Sequence, residues 1–146
     1  MNTILIVEDN ADDVLFIKRA FKKANIINPI RVVEDGEKAI AYLDGKHDFA
    51  DRGANPLPFL ILLDLKLPRF NGFEVLEHAR GLPVVKRIPV VVLTSSVDEG
   101  DVKRAYDLGA NAYLVKPVDF DSLLDLARRL QLYWFLTNRG AEPGPT

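Results

Sequence analysis

Four apolar runs in the chain each stop on a residue able to hold an ion or react. Thr3-Ile4-Leu5-Ile6-Val7 runs into Glu8-Asp9, and Phe59-Leu60-Ile61-Leu62-Leu63 runs into Asp64. Val90-Val91-Val92-Leu93 runs into Thr94, and Ala112-Tyr113-Leu114-Val115 into Lys116-Pro117. Brought together, Glu8, Asp9 and Asp64 would repel one another unless a cation intervened. An all-oxygen ligand set favours a hard ion such as Mg2+, which keeps several waters and joins one or two carboxylates to a phosphate. A carboxylate can also attack a phosphoryl group and form an aspartyl phosphate, a transfer that rests on positioning and charge neutralisation. Lys116 supplies positive charge and Thr94 a hydroxyl for a phosphoryl oxygen, so the parts suffice for phosphoryl acceptance at Asp64. Each residue alone has an ordinary reading too. Glu8-Asp9 could open a helix, Asp64 could form a turn, Thr94 could cap one, and Lys116 could be a solvated lysine. The functional reading rests on all of them meeting at one place.

The elements that would bring them together follow from the alternation of apolar runs with helical periodicity. Strands fall near 3–7, 30–33, 59–63, 90–93 and 112–115, and each reads as the continuous apolar run of a parallel strand buried on both faces. The first helix starts at Asn10 as N-cap with Asp13 three positions on. Val14, Ile17, Phe21 and Ala24 form its apolar face, and Lys18, Arg19, Lys22 and Lys23 face water. Further helices span Gly36–Leu43, Phe73–Arg80 and Asp98–Leu108, the last stopped by Gly109. A fifth is capped by Asp119 or Asp121 and extends to about Asn138. Five strand–helix repeats predict an α/β protein with a doubly wound parallel sheet. In such a sheet ligands bind outside the strand C-terminal ends, where all four polar stops lie. The segment Asp44–Pro58, with Gly45, Gly53, Asn55, Pro56 and Pro58, carries no regular element. It joins a helix to a strand at the opposite edge, so it is a partner-contacting or structural loop rather than a lid over the site.

Composition narrows the class. The 146 residues fit one domain. A net charge of −2 argues against a nucleic-acid surface. The absence of cysteine removes disulfides and thiolate metal sites and suits the cytoplasm. No apolar run approaches the roughly 18 residues of a membrane span, and Ile4–Val7 is too short for a signal-peptide core. The expected organisation is one domain over 1–138 and a frayed tail over 139–146 rich in Gly and Pro.

The blocks Ile4-Leu5-Ile6-Val7-Glu8-Asp9-Asn10, Leu63-Asp64-Leu65-Lys66-Leu67-Pro68, Leu93-Thr94-Ser95 and Tyr113-Leu114-Val115-Lys116-Pro117 resemble the receiver domain of two-component response regulators. The resemblance spans roughly residues 3 to 136. It implies a flavodoxin-like (βα)5 sheet in the order 2-1-3-4-5 and a phosphoacceptor rather than an enzyme, phosphorylated on Asp64 by a sensor histidine kinase. It implies Mg2+ held by Asp9, Asp64 and the Lys66 backbone carbonyl, with Glu8 acting mainly through a metal-bound water. Lys116 would pair with the phosphoryl group or, without it, with the acids. Thr94 would move toward the phosphate and Tyr113 would change rotamer with it, while the small Ser95 leaves the path open. Lys66 and Ser96 would tune the phosphate lifetime, and the Lys116–Pro117 bond would be cis.

Within that family, the long loop and the Asp-Leu-Lys-Leu-Pro block resemble the small regulators paired with bacterial phytochromes, and no output domain is expected after the last helix. Phosphorylation would shift the surface of the fourth helix, fifth strand and fifth helix. On the fifth helix Phe120, Leu123, Leu124, Ala127, Leu130 and Trp134 form a core face. Leu126, Leu132, Tyr133 and Leu136 lie off it, which points to a homodimer or a kinase-docking surface. An aspartate-nucleophile phosphatase is the enzyme rival, but its proton donor belongs two residues after the nucleophile, where Lys66 stands. A phosphorylation-independent binding module is the other rival, and the full acid, Thr and Lys set argues against it. Of the two histidines, His47 falls in the loop and His78 is expected on the surface.

Overall fold

The computed structural model describes residues 2–132. Five strands, β1 (Ile4–Val7), β2 (Ile30–Val33), β3 (Leu60–Leu63), β4 (Val90–Thr94) and β5 (Ala112–Val115), alternate with five helices. These are α1 (Ala11–Lys23), α2 (Gly36–Asp44), α3 (Gly72–Gly81), α4 (Glu99–Asp107) and α5 (Phe120–Leu130). All strand pairs are parallel, in the order β2-β1-β3-β4-β5. This is the flavodoxin-like arrangement that the blocks implied. The elements start where short polar side chains satisfy the free N–H groups of a helix N-terminus. Asn10 Oδ1 accepts from Asp12 N and Asp13 N at 2.9 and 3.1 Å, and Asp35, Asn71, Asp98 and Asp119 cap the other four helices.

The chain forms two compact units, Met1–Val14 with Asn28–Lys116, and Leu15–Ile27 with Pro117–Thr146. The first contains the whole sheet. Strand side chains alternate between its faces, and Leu5, Val7, Ile61, Leu63, Val90 and Val92 pack in one buried cluster with Ala39, Tyr42 and Leu43 of α2, Leu76 and Ala79 of α3, and Ala105 of α4. Ile4, Ile6, Leu60, Leu62 and Val91 point the other way and are just as buried. In the second unit Ile17, Ala20, Phe21 and Ala24 are buried, as are Leu123, Leu124, Ala127 and Leu130 of α5. The expected continuation of the last helix to about Asn138, with Tyr133, Trp134 and Leu136, and the tail 139–146 lie outside the described residues.

The connection from α2 to β3 corrects one expectation, because it contains a turn of 3-10 helix at His47–Phe49. Arg52 organises it. Its guanidinium donates to Tyr42 O at 2.7 Å and Leu43 O at 2.9 Å, two carbonyls of the last turn of α2. It also donates to Asn55 O at 3.2 Å, and Tyr42 Oη donates to Pro56 O at 2.7 Å. His78, expected on the surface, keeps 33% of its side chain exposed and also has a partner there. Its ring Nε2 lies 2.7 Å from Asp44 Oδ1, joining α3 to the end of α2. The periodicity of one helix does not report which neighbouring helix end its side chains will meet.

Candidate functional site

Sheet register sets the site. Val7 pairs with Leu63, so the next residues, Glu8 and Asp64, emerge side by side on adjacent strands about 4.8 Å apart. Thr94 pairs with Val115, which places Lys116 one step further along the same edge. The backbone ladder runs past the strand ends and holds these residues in line. Glu8 N donates to Val33 O at 3.0 Å, Asp64 N to Val7 O at 3.0 Å, and Lys116 N to Thr94 O at 2.8 Å.

The side chains converge. One carboxylate oxygen from each of Glu8, Asp9 and Asp64 lies within 4.8 Å of the others. Lys116 Nζ is 2.8 Å from Asp64 Oδ2 and 2.9 Å from Asp13 Oδ2, and it also pairs with Glu8 Oε1. The side chains of Glu8 and Asp64 are only 3% and 7% exposed, and that of Lys116 is 16% exposed, whereas Asp9 is open to solvent. Burial strips water from the Glu8 carboxylate and pushes its pKa up to about 7. The hydrogen bond from Lys116 opposes the rise and the Asp64 charge adds to it. For Lys116 burial alone would lower the pKa, but hydrogen bonds to Asp64, Glu8 and Asp13 outweigh it and hold the ammonium protonated, above its ordinary range.

Two loops complete the edge. After β3, Asp64 Oδ1 accepts from Lys66 N at 3.3 Å, and Gly72 N donates to Leu65 O at 2.9 Å. A Cβ on Gly72 would lie 2.3 Å from Asp64 O, so only glycine lets α3 start this close to the aspartate. After β4, Thr94 is fully buried and its Oγ1 accepts from Ser96 N at 3.4 Å. Tyr113 Oη donates to Ser96 O at 3.0 Å, and Ser96 Oγ donates to Asp101 Oδ2 at 2.7 Å. Ser95 is exposed between them. Glu8, Asp9, Asp64 and Lys116 thus meet directly, while Thr94 and Tyr113 are linked through the Ser96 backbone.

The cis geometry expected at Lys116–Pro117 is not found, since no peptide bond among the described residues is cis. Trans is the state that an X–Pro bond prefers by about 0.5–1 kcal/mol when nothing around it selects cis. Asp13 is the residue that sequence reasoning passed over. Its place in the first turn of α1 explained it as a helix opener, yet that turn starts at the strand-end edge and its carboxylate reaches Lys116. The same turn lets Asn10 N donate to Glu8 Oε2 at 3.1 Å.

The donor set suits a hard divalent cation. Three carboxylates offer one oxygen each within a span that a single ion can bridge, with no sulfur or imidazole among them. Glu8, Asp13 and Asp64 share the ammonium of Lys116 with Asp9 close by, so added positive charge would offset both the burial that raises the Glu8 pKa and the Asp64 charge that adds to it.

Comparison with known proteins gives the family. The sequence pattern of the response regulator receiver domain matches residues 4–128. The probable methanogenesis regulatory protein FilR2 of Methanothrix harundinacea is 39% identical over 142 residues, 97% of this chain and 88% of that protein. The response regulator Rcp1 of Synechocystis is 37% identical over 134 residues, 92% of this chain and 89% of Rcp1. The crystal structure of its Mn2+-bound form superposes with a TM-score of 0.82, 36% identity and coverage of 92% and 94% of the two chains. The phosphorylated cyanobacterial phytochrome response regulator RcpA superposes with a TM-score of 0.86 at 37% identity, covering 93% of this chain and 95% of that one.

Proposed function

From the premise that this chain belongs to the response regulator receiver family, we propose that it accepts a phosphoryl group on Asp64 from a sensor histidine kinase, with Mg2+ bound. The observation that carries this reading is the Asp64 carboxylate at the end of β3, 2.8 Å from Lys116 Nζ and within 4.8 Å of the Glu8 and Asp9 oxygens. Asp9, Asp64 and the Lys66 carbonyl would hold the ion directly, and Glu8 would act mainly through a metal-bound water. Bound there, Mg2+ offsets the negative charge of the acids and of the incoming phosphoryl oxygens.

In the transfer, an Asp64 oxygen forms a bond to phosphorus as the bond from phosphorus to the donor's imidazole nitrogen breaks, and the electron pair stays on that nitrogen. Lys116 is already against Asp64 and needs only a small shift to pair with a phosphoryl oxygen. The Thr94 hydroxyl can leave Ser96 N to donate to another. Tyr113 is tied to the same Ser96 backbone, so a Thr94 shift is felt at β5. The added charge of nearly −2 at Asp64 thus biases the α4 and β5 surface. The protein acts as a phosphoacceptor and not as a catalyst of turnover, with a receiver domain over 1–138. The test is incubation with a small phosphoryl donor and Mg2+ followed by intact mass. One phosphate increment that disappears in Asp64→Asn supports the reading. No increment on the wild-type protein, or an undiminished one in Asp64→Asn, defeats it.

The likeness to the phytochrome response regulator RcpA supports a phytochrome-type histidine kinase as the donor. A cytoplasmic location accords with that partner, and no described helix is long and apolar enough to cross a membrane. The net charge of −2 speaks against nucleic acid as a target. A homodimer through the fifth-helix region is supported by Leu132, whose residue is 63% exposed, with half-buried Leu126 beside the core stripe. A solution mass that stays monomeric across concentration, with and without phosphoryl donor, defeats the dimer.

A further inference from the structure

The loop from Asp64 to Asn71 delivers the acceptor carboxylate and the Lys66 backbone to the site, so where this loop rests decides where those groups stand. Gly72 supports its two ends, as described above. Its middle rests on the start of α2, an element that contributes no side chain to the acid cluster. Gly36 N donates to Pro68 O at 3.2 Å. Arg69 has a left-handed backbone, φ 70°, rare for a residue with a side chain. Its guanidinium reaches Glu37 Oε2 at 3.1 Å and Asp35 Oδ2 at 3.9 Å. Asp35 is itself held as the α2 cap by Lys38 N at 2.7 Å. A Cβ on Gly36 would sit 1.7 Å from Phe70 O, so the two backbones touch with nothing between them.

We infer that Gly36 and Arg69 are positioning residues: they clamp the β3–α3 loop against the N-terminus of α2 and so set the metal-binding and phosphoryl-accepting geometry at Asp64 and Lys66. The inference rests on the site reading proposed above and adds two residues outside the acid cluster. The two contacts differ in strength. The Arg69 pairs are solvent-exposed, with side chains 65% and 60% exposed for Arg69 and Glu37, so their loss changes affinity modestly. Gly36 is a steric contact between backbones, and any side chain there must push the Phe70 carbonyl aside.

The test measures Mg2+ affinity by calorimetry and, on metal-free protein, amide exchange at Gly36 and the amide chemical shift of Lys66. Arg69→Ala and Arg69→Glu should weaken Mg2+ binding about two- to fivefold. Arg69→Glu combined with Glu37→Arg should recover most of that loss. Gly36→Ala should weaken binding about tenfold or more, the range seen when supports behind metal ligands are removed. Gly36 amide exchange should rise in the Arg69 variants, and the Lys66 shift should move before any metal is added. If Gly36→Ala does not fold, the Arg69 series decides. An unchanged Mg2+ affinity in Arg69→Glu, with an unmoved Lys66 amide, overturns the clamp even if unfolding shows lower stability. Absence of Mg2+ binding by the wild-type protein instead defeats the site reading, and the Lys66 amide then still tests the clamp by itself.

Discussion

Replacing Lys116 by Met keeps the length of the side chain and removes its ammonium. In the wild-type protein that ammonium touches Asp64 at 2.8 Å, Asp13 at 2.9 Å and Glu8, with Glu8 and Asp64 almost fully buried. Removing one partner from a buried ionic cluster leaves uncompensated charge and costs about 3–5 kcal/mol. The cost must depend on pH in a stated direction. Glu8 has its folded pKa raised from 4.5 to about 7, so it favours the folded state fully below pH 4.5 and loses that contribution as pH rises through 7. A shift of this size corresponds to about 3 kcal/mol at most. Without Lys116 the opposing hydrogen bond is gone, the carboxyl is pushed higher still, and the variant's stability falls more steeply with pH than the wild type's. The expected loss is therefore about 3–5 kcal/mol at pH 8 and about half of that at pH 5, measured by urea unfolding with chelator present. Added Mg2+ should restore more stability to the variant than to the wild type, because a cation then replaces the missing charge; at one hundred times its Kd a ligand contributes about 2.7 kcal/mol. A loss under about 1 kcal/mol at pH 8, or a loss equal at pH 5 and pH 8, would refute the charge-balance reasoning.

Other predictions follow from neighbouring contacts. Mg2+ affinity of the wild-type protein should increase from pH 5.5 to 7.5 as Glu8 loses its proton, with proton release seen by calorimetry in buffers of different ionisation enthalpy; a flat profile refutes it. Gly72→Ala, whose Cβ would meet Asp64 O at 2.3 Å, should destabilise by about 1–3 kcal/mol and slow phosphorylation by a small donor. Arg52→Ala removes donors to Tyr42 O, Leu43 O and Asn55 O and should cost about 1–3 kcal/mol in urea unfolding. Its phosphorylation rate should stay unchanged, because the loop is at the opposite edge of the sheet from Asp64.

Much of the fold was legible because its signals are local. Doubly buried strands must be continuous apolar runs, and helices begin where a short polar side chain can cap free N–H groups, so Asn10, Asp98 and Asp119 mark boundaries that the backbone obeys, while the caps Asp35 and Asn71 are seen only in the structure. What escaped depends on contacts between distant segments. Asp13 reads as a helix opener until Lys116, 103 residues away, is beside it. The partner of His78 appears only when the end of α2 brings Asp44 to its ring. The sequence does not single out Arg52 or Arg69, because the Tyr42 and Leu43 carbonyls and the Glu37 carboxylate they hold are not adjacent to them in the chain. The cis bond at Lys116–Pro117 was an implication of resemblance, and the backbone here is trans.

The four apolar runs ending on Glu8-Asp9, Asp64, Thr94 and Lys116 thus came from sequence alone, with the kind of chemistry they could do, because residue type determines charge, nucleophilicity and hydrogen bonding. Tertiary structure decided how those groups share one small volume. Parallel register put Glu8 beside Asp64 and Lys116 against both, and burial raised the Glu8 pKa while holding the ammonium charged. Desolvation and hydrogen bonds at these distances act between groups that meet only when the sheet is assembled.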